Sequence, residues 1–222
     1  MNEDRAWAAR LTGWLLLVGS LAVLAYGSRA SAGKPDPDAL YRYSTAIGSI
    51  VIYLILLAIV VYGIGNGLPR SEFLALRRPA SWPHALGWAL GGYVGIFVGA
   101  GLLLLAFDAG GEQGLTSDDW DSSRAGAYAA NFIAVAVVGP IVEELLYRGA
   151  GIALLLRFGA PVAVGATALC FGLGHGLVLA LPALVVFGLV TAFVRVRTDS
   201  IYPGMLIHGL FNATSLIVTV AT

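Results

Sequence analysis

The chain has 222 residues, of which 58% are hydrophobic and only 12% are charged, and its formal net charge is zero. Soluble domains average roughly 45–50% apolar and about 25% charged residues, so this chain lacks the polar groups needed to cover a water-facing surface. The composition excludes a soluble enzyme and a disordered protein, and the zero net charge excludes a basic nucleic-acid binder. It predicts an integral membrane protein that has the lipid bilayer as a partner.

Apolar segments divide the chain into about seven predicted membrane helices, because one span needs ~20 mostly apolar residues. The segments are 11–27, 46–68, 84–107, 126–158, two helices within 160–197, and 200–221. The stretch 160–197 is too long for one crossing and divides at the GLGHG sequence of 172–176 and at Pro182. The predicted fold class is therefore all-α, a polytopic membrane helix bundle.

Loop charges predict the orientation of this bundle. Loop 69–83 carries Arg70, Arg77 and Arg78, whereas loop 108–125 carries the carboxylates of Asp108, Glu112, Asp118, Asp119 and Asp121. The positive-inside rule places the first loop, and with it the N-terminus, in the cytoplasm. The exceptions on the outer side are Arg29, Lys34 and Arg42. Arginine far outnumbers lysine, which indicates a GC-rich bacterial source and hence a location in the bacterial plasma membrane.

Ionisable and amide side chains in the cores of the predicted helices are confined to the C-terminal half. Glu143, Glu144 and Arg148 share one helix, His175 follows in the next, and His208 and Asn212 lie in the last. Such groups are costly in lipid and mark functional sites by default. We therefore expect scaffold helices in the N-terminal part, 1–110, and the functional site in the C-terminal half.

Helical spacing arranges these groups in pairs four residues apart, which share one helix face. The pairs are Glu144 with Arg148, Phe171 with His175, and His208 with Asn212. Because Glu143 lies about 100° around the helix from Glu144, we expect Glu144 to neutralise Arg148 and Glu143 to be free as a general base. The alternative is that the ion pair is only structural and the other polar groups only join helices.

A helical hairpin is expected to bring two of these groups to the same depth in the membrane. With a turn at residues 158–161, Glu143 and His175 are both ~24 Å from Gly159. Pro140 is expected to kink the fourth helix, and Gly149 or Gly151 to bend it. We therefore predict that the polar side chains converge on one water-accessible cavity within the membrane, formed by Glu143, His175, His208 and Asn212.

The three spaced pairs resemble the motifs of a known family. Glu143-Glu144-x-x-x-Arg148, Phe171-x-x-x-His175 and His208-x-x-x-Asn212 look like the three motifs of the CPBP family, also called Abi. The name stands for CAAX proteases and bacteriocin-processing proteins, and the family also includes proteins similar to lysostaphin resistance protein A. Its members are intramembrane endopeptidases related to the type II CAAX prenyl endopeptidases. The resemblance covers roughly residues 126–216 and implies that these residues form the catalytic core.

The resemblance implies a role for each motif residue. Glu143 would activate a water molecule that His175 helps to hold, and His208 with Asn212 would form the oxyanion hole. Glu144, Arg148 and Phe171 would support the site. The substrates implied are membrane-associated peptides or proteins, including lipidated ones.

A metal-free mechanism needs no cofactor, and this is the favoured hypothesis. The alternative within the same family is a zinc site formed by Glu143, His175 and His208, a ligand set of the His₂Glu type. Two alternatives belong to other classes: a small transporter, and a non-catalytic immunity or chaperone protein of the membrane. Transporters usually have paired halves, whereas the polar groups here lie in one half only.

Overall fold

The computed structural model of the chain describes residues 3–31, 36–109, 112 and 120–221. All regular secondary structure in these residues is helical, which confirms the predicted all-α membrane bundle. Lys34, Asp118 and Asp119, which contributed to the predicted orientation, lie outside the described residues.

Seven apolar helices form the bundle within the described part of the chain. They are α1 (Glu3–Ser31), α2 (Tyr43–Ile64), α3 (Trp82–Ala106), α4 (Ser122–Phe158), α5 (Ala160–Leu173), α6 (Leu181–Thr198) and α7 (Tyr202–Ala221). Six of them are long and apolar enough to cross a membrane. The exception is α5, whose 14 residues span only ~21 Å. The predicted division of 160–197 into two helices is confirmed, with residues 174–180 as the connection.

The helices differ in how much protein surrounds them. In the apolar windows of α4 and α6, 44% of the residues are buried, against 11% in α1 and α2. Large apolar side chains of the outer helices, such as Leu16 on α1 and Ile55 on α2, are more than half exposed and suit contact with lipid. The bundle therefore has α4 and α6 at its centre, where the motif residues of α4 are enclosed.

Two tryptophans attach α1 to the C-terminal half of α4. The indole N–H of Trp14 donates to the backbone oxygen of Leu146 over 2.9 Å, and that of Trp7 donates to Leu154 over 3.2 Å. Trp14 also packs directly on Gly151, where a Cβ atom would lie 2.6 Å from the indole ring. Because an indole donor has few partners in an apolar bundle, these bonds fix the position of α1 along α4.

A tight turn and a close helix contact connect α4, α5 and α6. The predicted turn after α4 is present, and Gly159 adopts a φ of 93° there, a conformation that favours glycine. In the α5–α6 pair, a Cβ atom at Gly188 would lie 2.7 Å from the Cα atom of Ala168. The two backbones thus approach as closely as small residues allow, as is typical of membrane helix pairs.

We predict that Gly188→Ala destabilises the bundle, since its new methyl group would meet backbone atoms of Ala168 that cannot move without shifting α5. Overpacking of this kind typically costs about 1–3 kcal/mol. Thermal unfolding in detergent measures the effect. Gly87→Ala on α3 is the matched control, because a Cβ atom there would have no neighbouring helix within 4 Å among the described residues. Equal melting temperatures for the two variants would contradict the close α5–α6 contact.

Candidate active site

The central helix α4 is interrupted on both sides of its two glutamates. A π-helical segment, Ala134–Val138, precedes Pro140, and a second, Leu145–Gly151, follows Glu144. Pro140 has no N–H group, so the regular bonding pattern cannot continue through it. The second segment contains both Gly149 and Gly151, where a bend is expected from the sequence. Such π segments change the rotation of the helix and occur frequently at functional sites.

Glu144 and Arg148 form the predicted ion pair in the centre of the protein. The Nη1 atom of Arg148 lies 3.3 Å from Oε1 of Glu144, and both side chains are fully buried. The Nη2 atom of Arg148 donates to Oγ1 of Thr191 over 2.5 Å and to the backbone oxygen of Gly188 over 3.3 Å. The guanidinium also lies 4.4 Å from the ring centre of Phe171. The guanidinium of Arg148 is therefore contacted by groups on three helices, α4, α5 and α6.

His208 lies between the two glutamates. Its Nδ1 atom is 3.2 Å from Oε1 of Glu144 and its Nε2 atom is 3.7 Å from Oε2 of Glu143. A carboxylate can only accept a hydrogen bond, so Nδ1 is the donor to Glu144. The imidazole ring packs edge-on against Phe171 and Phe187, at centroid distances of 5.6 Å and 4.8 Å. Glu144 thus orients His208 as well as pairing with Arg148, and Nε2 is directed toward Glu143.

Glu143 has one anchored and one unbonded carboxylate oxygen. Its Oε1 atom accepts a hydrogen bond from the phenol of Tyr53 on α2 over 3.0 Å. Its Oε2 atom has no hydrogen-bond partner among the described residues. The side chain is 17% exposed, whereas that of Glu144 is completely buried. Of the two glutamates, Glu143 is therefore the less enclosed, although its unbonded Oε2 atom is itself buried, like Oε2 of Glu144.

His175 lies in the connection after α5, one aromatic ring away from His208. Its Nδ1 atom is 2.8 Å from the backbone oxygen of Phe171, which leaves Nε2 for another partner. The ring of Phe171 contacts both imidazoles, at centroid distances of 4.6 Å from His175 and 5.6 Å from His208. A Cβ atom at Gly174 would lie 2.6 Å from the phenol oxygen of Tyr147. The connection after α5 therefore packs against Tyr147, in the turn of α4 that follows Glu143.

The connection that carries His175 is held by groups outside the predicted core. The phenol of Tyr26 donates to the backbone oxygen of Leu177 over 3.0 Å. The carboxylate of Glu112 accepts from the N–H groups of Val178 and Ala180 over 2.8 Å and 2.7 Å. Burial disfavours the charge of Glu112, but these backbone hydrogen bonds outweigh it and lower the pKa of the carboxyl group.

Asn212 is placed beside the first π segment of α4. Its Nδ2 atom donates to the backbone oxygen of Val135 over 2.9 Å, which fastens α7 to α4. Val135 lies eight residues before Glu143, ~12 Å along a helix. The structure thus brings Glu143 and His208 together, and it places His175 and Asn212 around them without direct contact to Glu143 among the described residues. An amide carries a second N–H, so Asn212 retains one donor.

Several residues at the site were not predicted from the sequence. Tyr53 contacts Glu143 from a helix assigned to the scaffold, and Thr191 contacts Arg148 from α6. Gly204 on α7 lies against the second oxygen of Glu144, where a Cβ atom would be only 2.6 Å from Oε2. A lone tyrosine in the apolar run IVIYLILL and a lone threonine in VTAF are the signals that could have indicated the first two.

The zinc alternative requires three ligands gathered around one point. Within the described residues, no group of three histidine, cysteine, aspartate or glutamate side chains is placed to hold a metal ion. The ring of Phe171 packs against both histidines of the expected ligand set. The described geometry of Glu143, His175 and His208 therefore does not fit a His₂Glu zinc site.

Comparison with protein families supports the resemblance drawn from the motifs. Residues 125–214 match the family described as type II CAAX prenyl endopeptidase Rce1-like, and all three motifs fall within them. The match confirms the predicted family resemblance of this region. Comparison with curated proteins and with solved structures gives no match.

We predict that Glu144→Gln destabilises the protein strongly, because Arg148 would remain buried without its counter-charge. Removing one partner of a buried ion pair typically costs about 3–5 kcal/mol. The comparison is made by thermal unfolding in detergent against Glu143→Gln, which has the same chemistry at a residue that does not pair with Arg148. If both variants unfolded at the same temperature, Glu144 would not be the residue that neutralises Arg148.

Proposed function

We propose that the protein is an intramembrane endopeptidase that hydrolyses peptide bonds in membrane-associated proteins or peptides by means of a glutamate-activated water. The observation that carries this proposal is the state of Glu143. One carboxylate oxygen is anchored by Tyr53, and the other has no hydrogen-bond partner in the described part of the chain and is directed toward Nε2 of His208. The match of residues 125–214 to a CAAX endopeptidase family supports peptide-bond hydrolysis in particular.

Glu143 is assigned as the general base in this mechanism. It takes a proton from a water molecule while the water oxygen bonds to the carbonyl carbon of the substrate, and the carbonyl electron pair moves to oxygen. The tetrahedral intermediate then collapses, the C–N bond breaks, and the proton passes from Glu143 to the departing amine. His175 is assigned to orient the water through its Nε2 atom, the ring nitrogen that does not contact Phe171.

His208 and Asn212 are assigned to the oxyanion. Nδ1 of His208 already donates to Glu144, so Nε2 can donate to the oxyanion only in the imidazolium form, which the proposal assigns to His208. Asn212 retains one amide hydrogen after bonding to Val135. Donors aimed at a developing oxyanion are typically worth ~2.7–4 kcal/mol each. His208 and Asn212 lie four residues apart on α7, so the two side chains share one helix face.

The contacts of the two glutamates disfavour the reverse assignment, in which Glu144 would be the general base and Glu143 would support the site. Glu144 is fully buried, pairs with Arg148 and accepts from His208. A general base must be reached by water and must change its charge during the reaction. In Glu144, a change of charge would leave Arg148 without compensation in an apolar environment, so Glu144 is assigned to hold the site together.

Charge distribution supports a cytoplasmic N-terminus. At the end of the bundle where α1 begins, Arg157 pairs with Asp4 and Arg77 pairs with Asp199. Further arginines, Arg70, Arg78 and Arg197, lie at this end. At the opposite end, two of the three exceptions to the positive-inside rule are compensated in the described part of the chain, since Arg42 pairs with Asp36 and Arg29 with Glu112. We place the arginine-rich end in the cytoplasm of a bacterial cell.

We expect Glu143→Gln to abolish proteolysis while leaving membrane insertion unchanged, because the amide cannot take a proton from water. Labelling of new peptide N-termini in membranes that contain either the wild-type protein or this variant measures the effect. Termini that depend on the wild-type protein and disappear with Glu143→Gln support the endopeptidase. Identical peptide sets would instead indicate a non-catalytic membrane protein.

Activity is expected to survive strong chelators, since a carboxylate base with two imidazoles and an amide can hydrolyse a peptide without a Lewis acid. The detergent-purified protein is dialysed against 1,10-phenanthroline, its metal content is measured, and cleavage is assayed. Stoichiometric zinc whose removal and return control the activity would overturn the metal-free mechanism and restore the zinc alternative.

A further inference from the structure

We infer that Tyr53 is a positioning residue for the catalytic base, supplied by a helix outside the region that matches the endopeptidase family. This inference rests on the proposed function of Glu143. Tyr53 lies on α2, and the family match begins only at residue 125. Its phenol donates to Oε1 of Glu143 over 3.0 Å. No motif of the sequence includes this tyrosine.

The hydrogen bond from Tyr53 decides which oxygen of Glu143 is available. A glutamate side chain rotates about several bonds, and a base is efficient only when its reactive oxygen is held toward the water. Tyr53 holds Oε1, so Oε2 is the oxygen directed toward Nε2 of His208, 3.7 Å away. Without this donor, the carboxylate of Glu143 could turn toward other partners. Tyr53 thus acts on the reaction through the orientation of Glu143.

The surface of α4 is shaped to receive the phenol. Gly139 lies one turn before Glu143 on the same face, and a Cβ atom there would be 2.8 Å from the phenol oxygen and 2.9 Å from Cζ of Tyr53. The ring therefore crosses α4 over Gly139 to reach the carboxylate. Any larger residue at 139 would have to displace the phenol.

The same two helices contain a matched arrangement without a carboxylate. Tyr43 on α2 lies over Gly126 of α4, where a Cβ atom would overlap its phenol oxygen. One turn beyond Gly126 is Ala130, which offers no acceptor side chain. Variants of Tyr43 and Gly126 therefore serve as controls for the packing of a tyrosine on a glycine. Of the two arrangements, the one with Tyr53 and Gly139 is next to Glu143.

The first measurement separates turnover from substrate binding. For Tyr53→Phe, we expect kcat to fall about tenfold, equivalent to ~1.4 kcal/mol, with KM unchanged, because the variant loses only the donor to Glu143. Gly139→Ala should reproduce the fall in kcat, since its methyl group displaces the phenol. Tyr43→Phe and Gly126→Ala should retain the wild-type kcat. Wild-type kcat in both Tyr53→Phe and Gly139→Ala would overturn the inference.

The second measurement does not depend on cleavage. Dicyclohexylcarbodiimide enters membranes and reacts with the protonated form of buried carboxyl groups, and mass spectrometry locates the label. The phenol of Tyr53 holds Oε1 of Glu143, and its removal leaves both carboxyl oxygens free, so Tyr53→Phe should be labelled faster at Glu143 than the wild-type protein or Tyr43→Phe. Equal labelling rates in the three proteins would overturn the positioning role.

Together the two measurements distinguish the failure of each proposal. A wild-type protein that cleaves no peptide contradicts the proposed function, and the labelling rates then still test the contact between Tyr53 and Glu143. Cleavage that is lost in Glu143→Gln but unchanged in Tyr53→Phe supports the proposed function and overturns the inference alone.

Discussion

Burying Glu144 and Arg148 in an apolar bundle leaves each charge with only its protein neighbours to compensate it. The helices around them meet much of that requirement, although Oε2 of Glu144 and Nε of Arg148 have no hydrogen-bond partner among the described residues. Arg148 pairs with Glu144, donates to Thr191 and lies against Phe171. Glu144 in turn accepts from His208 on α7. One ion pair thus connects α4, α5, α6 and α7, and the orientation of a candidate catalytic histidine depends on it. Its loss would affect stability and chemistry together.

Glycines allow the surrounding helices to come close enough for these contacts. Gly188 brings α6 onto α5, Gly204 brings α7 onto the carboxylate of Glu144, and Gly139 receives the ring of Tyr53. In lipid there is little hydrophobic force between helices, so association depends on close packing and on hydrogen bonds. The π segments of α4 add to this by changing the rotation of the helix on both sides of the glutamates. Small residues and helix irregularities thus position the polar groups.

The N-terminal helices do more than complete the bundle. Trp7 and Trp14 fix α1 against α4, and Tyr26 holds the connection that carries His175. Tyr53 of α2 contacts Glu143 itself. The candidate site therefore depends on helices on both sides of the boundary between the scaffold, 1–110, and the core, 126–216. A tyrosine does not stand out in an apolar segment as a charged residue does, which is why the sequence alone did not indicate this contribution.

The sequence by itself determined the membrane bundle, the break after α5 and the pairing of Glu144 with Arg148. These features follow from segment length, composition and the geometry of a single helix, in which residues four apart must share a face. Only the tertiary structure decided that His208 lies between two glutamates, that Tyr53 anchors Glu143 and that Asn212 bonds to Val135. Contacts between helices depend on the rotation and depth of each helix, and these are set by close packing at glycines and by π segments that no local pattern specifies.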